Sequence, residues 1–294
     1  MTEEFPTFPT SLGTSDRSSI TLLGQDLAHD LMGEVSFGEL AYWLITLERP
    51  TPQQTRLFET VLLGLADHGF TPTAIAARLT YLSAPDAIQG ALAAGLLGGG
   101  SRYLGLTEDT GRFLAEVLAA APRPLPAADD QAGWDALAVQ AVADRKMAGK
   151  FVPGLGHPVH KDGDPRTPRI IGIAREEGLY GPHLALFEAV GRVHSQVLGK
   201  RLPLNGAGVS GAALADLGLP LELLRGVVLL ARCAGLLGQV AEEIRRPIAN
   251  DIYLAVDRNA RYVPPQAPDT LDAPQASATP QAPAASETPA TPDG

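Results

Sequence analysis

Three stretches of this 294-residue chain break an otherwise helical apolar pattern, and each carries side chains suited to chemistry. Ala66-Asp67-His68-Gly69-Phe70 puts an ionisable pair at the end of an apolar stripe. Gly95 to Gly105, GLLGGGSRYLG, is too glycine-rich for a helix interior and presents Ser101 and Arg102. Val152 to Arg169 places His157, His160, Lys161 and Arg166 among glycines and prolines. Three generic chemistries fit poorly. The glycine run lacks the preceding strand that a dinucleotide fingerprint requires. His157 and His160 with Asp162 and Asp164 have ligand atoms for a metal. Pro158 between the histidines breaks the regular facing of a helix-borne site, so no metal is expected. No serine sits in a nucleophile elbow, and Cys233, the one cysteine, falls mid-helix as a small hydrophobe.

The elements that must hold these stretches read as helices. The chain is rich in Ala and Leu and poor in alternating β-branched residues. Ser36 with Glu39 forms a capping-box pattern ahead of LAYWLI. Thr51-Pro52 opens a helix carrying Leu57, Val61, Leu62 and Leu65 on one stripe, which ends near Asp67-His68-Gly69. Thr71-Pro72 and Pro85-Asp86 open two more. Further helices are predicted at 108–121, 133–149, 167–177, 182–200, 207–217 and 220–244, the last pair parted by Gly218-Leu219-Pro220. About ten helices and no convincing strand make an all-α domain.

Composition narrows the class. Residues 264–294 hold eight prolines, four acids, no Lys or Arg and a single large aliphatic, so this tail is expected to be disordered. The organisation expected is a flexible N-terminus over 1–20, a helical domain over 21–263, and that acidic tail. The formal net charge is −10, without a Lys/Arg cluster, which argues against nucleic acid and anionic membranes. The polar, acidic N-terminus does not read as a signal peptide, and no run of about 18 apolar residues appears. A cytoplasmic protein is expected.

PGLGHPVHKDGDPR resembles the signature loop of citrate synthases, roughly PG-[FYI]-GH-x-V-x-[RK]-x-x-DPR. ADHGF, AAGLLGGGSRYLG, VSGAALADLGLP and LLARCAGLLGQVAEEIRRPI resemble further segments of that family, in order, from about Thr21 to Tyr262. The short N-terminal part looks more like citryl-CoA lyases and the citrate-synthase-like module of ATP-citrate lyase. The resemblance implies a multi-helical fold with large and small parts, working as a homodimer. It would make or cleave a carbon–carbon bond between an acyl-CoA and oxaloacetate, most like a citryl-CoA lyase. Coenzyme A thioester is then a substrate and no cofactor is bound covalently. The alternatives are citrate synthesis proper and a dicarboxylate- or acyl-CoA-binding pseudoenzyme.

Residue by residue, the resemblance implies that His157 polarises the oxaloacetate carbonyl and that His68 binds substrate. Arg166 and Arg232 would bind carboxylates, and Arg246 would reach across the dimer. Pro153, Gly154, Leu155 and Gly156 would pack on adenine, with Lys161 near the CoA phosphates. Arginine suits carboxylates because its planar fork donates two parallel bonds. Histidine on a rigid Gly/Pro loop suits a carbonyl that develops negative charge. Two departures stand out. GGGSRYLG lacks the family's loop histidine, leaving Ser101 and Arg102 to bond a thioester oxygen. The family's basic aspartate falls on Ala207 in the ungapped register, or on Asn205 with one residue inserted, and neither is a carboxylate. Loss of such a base commonly costs on the order of 10²–10⁴ in rate. His68, His157, Asn205 and a recruited Asp67 are the groups left near that chemistry.

Overall fold

Helix starts follow the local hydrogen bonding written into the sequence. In the computed structural model, which describes residues 7–157 and 159–265, Thr51 caps α2 (Pro52–Ala66). Gln54 N donates to Thr51 Oγ1 at 3.2 Å and Thr51 N donates to Gln54 Oε1 at 2.9 Å, a complete capping box. The box expected at Ser36 of α1 (Phe37–Thr46) is half made. Glu39 N donates to Ser36 Oγ at 3.0 Å, but the Glu39 carboxylate turns away to Arg49. Thr71 caps α3 (Pro72–Ser83), and α4 (Ile88–Leu97) begins two residues after the expected Pro85-Asp86 start, without a side-chain cap. The remaining predicted helices appear within two residues of their expected limits as α5 (Leu106–Ala120), α6 (Gln131–Met147), α7 (Arg166–Glu176), α8 (Pro182–Leu198) and α9 (Gly206–Asp216). A short 3₁₀ turn, Leu221–Leu223, then leads into α10 (Leu224–Arg245).

Three features depart from the sequence reading, the first a single π-helical turn over Leu27–Leu31 whose first amides are capped by Asp26. Three short strands, β1 (Gly13–Ser15), β2 (Ile20–Leu22) and β3 (Gln25–Asp26), form an antiparallel meander, the first two lying largely in the polar N-terminal segment. Runs of two or three residues are too brief to show alternation. An additional helix, α11 (Ala249–Asp257), follows the Arg-Arg-Pro segment. Its first amides are satisfied from a distance, because Glu243 Oε1 accepts from Ile248 N at 2.9 Å and Ala249 N at 2.8 Å. No capping residue adjoins its start, so the sequence offered no signal.

The chain divides into two compact units, residues 1–253 and 254–294. Of the expected tail, only Pro264 and Pro265 lie within the described residues. The first unit has two buried clusters. The larger is gathered from α2, α5, α6, α7, α8, α9 and α10 around a fully buried face of α8 that includes Leu184, Leu186 and Phe187. Each such side chain contributes about 1.5–3 kcal/mol by leaving water. The smaller cluster joins Ala77 of α3, Ala91 of α4, and Leu236 and Val240 of α10. Within the 25-residue stretch Leu221–Arg245 an 18-residue window reaches mean hydropathy 1.5, enough by length and composition to cross a membrane. Arg225 and Arg232 interrupt it, and its apolar face packs on α2, α3, α4 and α5.

Candidate active site

Helix α10 approaches the end of α2 through Gly235, where a methyl group would lie 1.8 Å from the Ala66 carbonyl oxygen. Only glycine admits that approach, and it brings Arg232, nearly one turn earlier, alongside Asp67 and His68. Asp67 ends α2 in extended conformation, and Gly69 turns the chain with φ +72°. Asp67 Oδ2 accepts from Gly69 N at 2.9 Å, and Oδ1 accepts from Gln239 Nε2 at 3.0 Å. Burial would raise the Asp67 pKa, but those two bonds and the nearby Arg232 charge outweigh it and hold the carboxyl below its usual range.

The histidine loop is fixed by Asn205. Gly154 and Gly156 have φ of +84° and +86°, and a side chain on Gly154 would strike Phe187 at 2.5 Å. Asn205 N donates to the Gly154 carbonyl at 2.9 Å and its Nδ2 donates to the Gly156 carbonyl at 2.8 Å. Asn205 Oδ1 meanwhile accepts from Gly208 N at 2.8 Å and caps α9. Asn205 therefore ties the loop to α9 with both ends of its amide engaged. Each end of the amide keeps one further hydrogen-bonding position, and Asn205 also lines the cavity described below.

His157 has a defined tautomer. Its Nδ1 accepts from Val159 N at 3.1 Å and His160 N at 2.9 Å. A ring nitrogen that accepts two amides carries no proton, so the neutral ring holds its proton on Nε2. Burial first, and the neighbouring His160 next, push the His157 pKa below its usual value, keeping the ring neutral at pH 7. His68, His157 and His160 each bring a ring nitrogen within 4.8 Å of the others, as a metal site would. A metal on His157 would have to displace the Nε2 proton from a ring already lacking one on Nδ1. That leaves two ready ligands instead of three, too few for a closed structural site.

These elements enclose a cavity of about 300 Å³ lined by His68, Arg102, His157, Arg166, Asn205, Ala207 and Arg232, with apolar walls from Phe70, Leu104 and Leu106. Arg232 is 4 % exposed, and its Nε and Nη1 are buried with no hydrogen-bond partner among the described residues. Burial, with Arg166 adding and Asp67 opposing, lowers its pKa, yet a guanidinium remains a cation at neutral pH. No carboxylate is among the residues lining this cavity. Asp164 lies just behind, 3 % exposed and saturated: it accepts from Arg166 N, Nε and Nη2 at 3.1, 3.0 and 2.7 Å, and from Gly206 N at 2.7 Å. Burial alone would raise its pKa, but these donors bring it to about 2.

The structure thus brings His68, Arg102, Gly156, His157, Arg166, Asn205 and Ala207 to one cavity with Arg232. Arg166 arrives with its charge matched by Asp164 and with Nη1 on the Gly64 carbonyl at 3.0 Å, so it is less free for a ligand than the motif implied. Ser101 lies outside the cavity lining, exposed beside Arg225. Lys161 donates to the His157 carbonyl at 2.9 Å and lines a different cleft. Arg246 is exposed at the end of α10, away from the cavity. A second cavity of about 380 Å³ shares Gly156 with the first and also has Leu155, Lys146, Lys150 and Lys200 on its wall. Those lysines, and Arg78 with Gln239 behind Asp67, escaped the sequence reading because they sit in regular helices or beside them with no motif of their own.

Comparison with known proteins bears on this geometry. The family model described as citrate synthase, C-terminal domain, matches residues 8–253, and the chain belongs to that family. The citrate synthase of Deinococcus radiodurans is 29% identical over 248 residues, 82% of this chain and 61% of its own length. The chain therefore spans about three-fifths of that relative. The structure of citryl-CoA lyase from Hydrogenobacter thermophilus superposes with TM-score 0.75 at 30% identity, covering 89% of this chain and 97% of that one. ATP citrate lyase from Methanothrix soehngenii, solved with citrate and coenzyme A, shares the fold with TM-score 0.71 at 21% identity, covering 90% of this chain and 43% of its own.

Proposed function

We propose that this member of the citrate synthase family makes or breaks the carbon–carbon bond between an acyl-CoA and oxaloacetate, and that cleavage of citryl-CoA is its main reaction. The carrying observation is Arg232, a buried cation with unpaired N–H groups on the wall of the cavity that also holds a neutral Nε2–H histidine. An unpaired buried charge costs several kcal/mol, and a substrate carboxylate relieves that cost. The 30% identity and TM-score of 0.75 shared with citryl-CoA lyase favour cleavage over full citrate synthesis.

In cleavage, His68 takes the proton of the citryl-CoA hydroxyl. The carbon–carbon bond breaks, its electrons pass to the thioester as an enolate, and the hydroxyl carbon becomes the ketone of oxaloacetate. His157 Nε2–H donates to that oxygen, and Arg232 holds a carboxylate. His68 then returns its proton to the enolate carbon, giving acetyl-CoA. The thioester would run past Gly156 into the neighbouring cavity, with the CoA phosphates near Lys150 and Lys200. A second copy would receive the exposed Arg246, making a cytoplasmic homodimer.

The cavity's lack of a lining carboxylate favours one second reading, a dicarboxylate-binding protein without turnover. Incubation with citryl-CoA, following oxaloacetate by a coupled reductase, separates the two. Cleavage by the wild type that His157→Ala abolishes supports the enzyme; citrate binding without cleavage supports the binding protein.

A further inference from the structure

The His68 ring stacks near His157 and His160, at centroid distances of 5.3 and 5.5 Å, and has no hydrogen-bond partner among the described residues. Its aim therefore depends on the backbone that carries it. Asp67 Oδ2 accepts from Gly69 N at 2.9 Å, which closes an Asx turn around His68, with Gly69 at φ +72°. Such a turn keeps its shape only while the aspartate side chain stays in one rotamer. The second oxygen supplies that constraint, since Asp67 Oδ1 accepts from Gln239 Nε2 of α10 at 3.0 Å.

Gln239 is 8 % exposed, and its neighbours fix which way its amide faces. Its Oε1 accepts from Arg78 Nε at 2.8 Å, and a guanidinium can only donate. The amide nitrogen is left for Asp67, whose ionised carboxylate can only accept. The position thus requires a side chain that accepts at one end and donates at the other. Leu has neither group, Glu lacks the donor, and Asn is one methylene short of spanning both partners. Arg78 is immobile in turn, with Nη1 on Glu243 Oε2 at 2.9 Å and Nη2 on Glu242. Gln239 lies seven residues after Arg232, two turns along the same face of α10. One helix therefore presents the buried cation and also clamps the turn that carries His68.

Resting on the function proposed above, we infer that Gln239 is a positioning residue for His68: it locks the Asp67 carboxylate that closes the turn, and so aims the ring that takes the substrate hydroxyl proton. Gln239 is not among the residues lining the cavity, so it acts through the turn and not by touching a reactant. Proton transfer needs the base within hydrogen-bond reach, and a misplacement of about 1 Å costs on the order of 10²-fold. Loss of the clamp is therefore felt in kcat, with substrate affinity kept.

The test compares the full-length wild type, Gln239→Leu and Gln239→Glu in citryl-CoA cleavage and in NMR of ring-labelled histidines. Gln239→Leu should lower kcat by about 10–10²-fold with KM within about two-fold. It should also shift or broaden the His68 resonance and spare that of His183, whose Nδ1 lies 2.8 Å from Asp216 Oδ1. Gln239→Glu keeps the acceptor for Arg78, so it should fold like the wild type and decides the matter if Gln239→Leu does not fold. It sets a second carboxylate against Asp67, and the pair regains a hydrogen bond only by taking up one proton. Arg78 and Arg232 oppose that uptake, and Glu242 and Glu243 favour it. The ratio of its kcat to that of the wild type should rise about 10-fold from about pH 8 to about pH 6, which a merely structural role would not produce. An unmoved His68 resonance in a folded Gln239→Leu protein overturns the inference whatever the rate. A flat ratio for Gln239→Glu, or a loss confined to KM, does likewise. Absence of cleavage by the wild type removes the proposed function, and the His68 resonance still decides whether Gln239 positions that ring.

Discussion

Helix α10 touches two buried arginines that the protein treats in opposite ways. Arg78 is fully buried, and each nitrogen has a partner: Nε donates to Gln239 Oε1 at 2.8 Å, Nη1 to Glu243 Oε2 at 2.9 Å, and Nη2 to Glu242. Its guanidinium also lies 5.1 Å from the centre of the Phe70 ring. Arg232, two turns earlier on α10 than Gln239, is nearly as buried but leaves Nε and Nη1 unpaired. A satisfied buried cation fixes one packing arrangement; an unsatisfied one carries an uncompensated desolvation cost. The two are linked, since Gln239 bridges Arg78 to Asp67 and Asp67 lies beside Arg232. The paired cluster thereby holds the frame in which the unpaired charge is presented.

Truncating each arginine should break this contrast most sharply. Arg78→Leu strands Glu243 in the interior and should cost about 3–5 kcal/mol of stability by urea unfolding. Arg232→Leu should leave stability unchanged or raise it, yet weaken citrate binding by on the order of 10²-fold, about 3 kcal/mol, in calorimetry. Equal destabilisation by both would refute the distinction.

Acid titration comes next in size. The donors around Asp164 lower its pKa to about 2 from the ordinary 3.8, so its stabilisation is complete above about pH 4 and is lost as pH falls towards 2. The loss should be about 2 kcal/mol, and Asp164→Asn should remove that acid-dependent part of the unfolding profile. Asn205→Ala deletes the α9 cap and should cost about 1–2 kcal/mol, together with turnover, because the His157 loop loses its tether. Smallest is the pH profile of kcat/KM. The lowered His157 pKa keeps the donor neutral as pH falls, so the acid limb should lie below 6.5. An acid limb above 6.5 would assign that titration to another group.

Much of the architecture was legible in the sequence because its causes are local. Thr51-Pro52, Thr71-Pro72 and the glycine-proline punctuation mark helix ends through bonds reaching three residues, and the apolar stripe of α2 follows from helical period. The signature loop pointed to His157, and the separate Ala231-Arg232-Cys233-Ala234-Gly235 segment to Arg232, each through a resemblance. Where the cause was remote, sequence reasoning fell short. Helix α11 is capped by Glu243 from the end of α10, Ser101 turns towards Arg225, and Lys161 serves the His157 carbonyl.

The sequence by itself determined the helical class, most of the helix limits, the absence of a carboxylate at positions 205 and 207, and the gathering of His, Lys and Arg in one glycine- and proline-rich loop. The tertiary structure decided protonation and charge. It set the Nε2–H form of His157 through two amides of its own loop, and matched Arg166 with Asp164 under the N-terminus of α9. It also left Arg232 unpaired where Gly235 lets α10 meet α2. The physical reason is range. Capping and periodicity act within a few residues of chain, whereas desolvation and pairing depend on which distant groups share the same few ångströms.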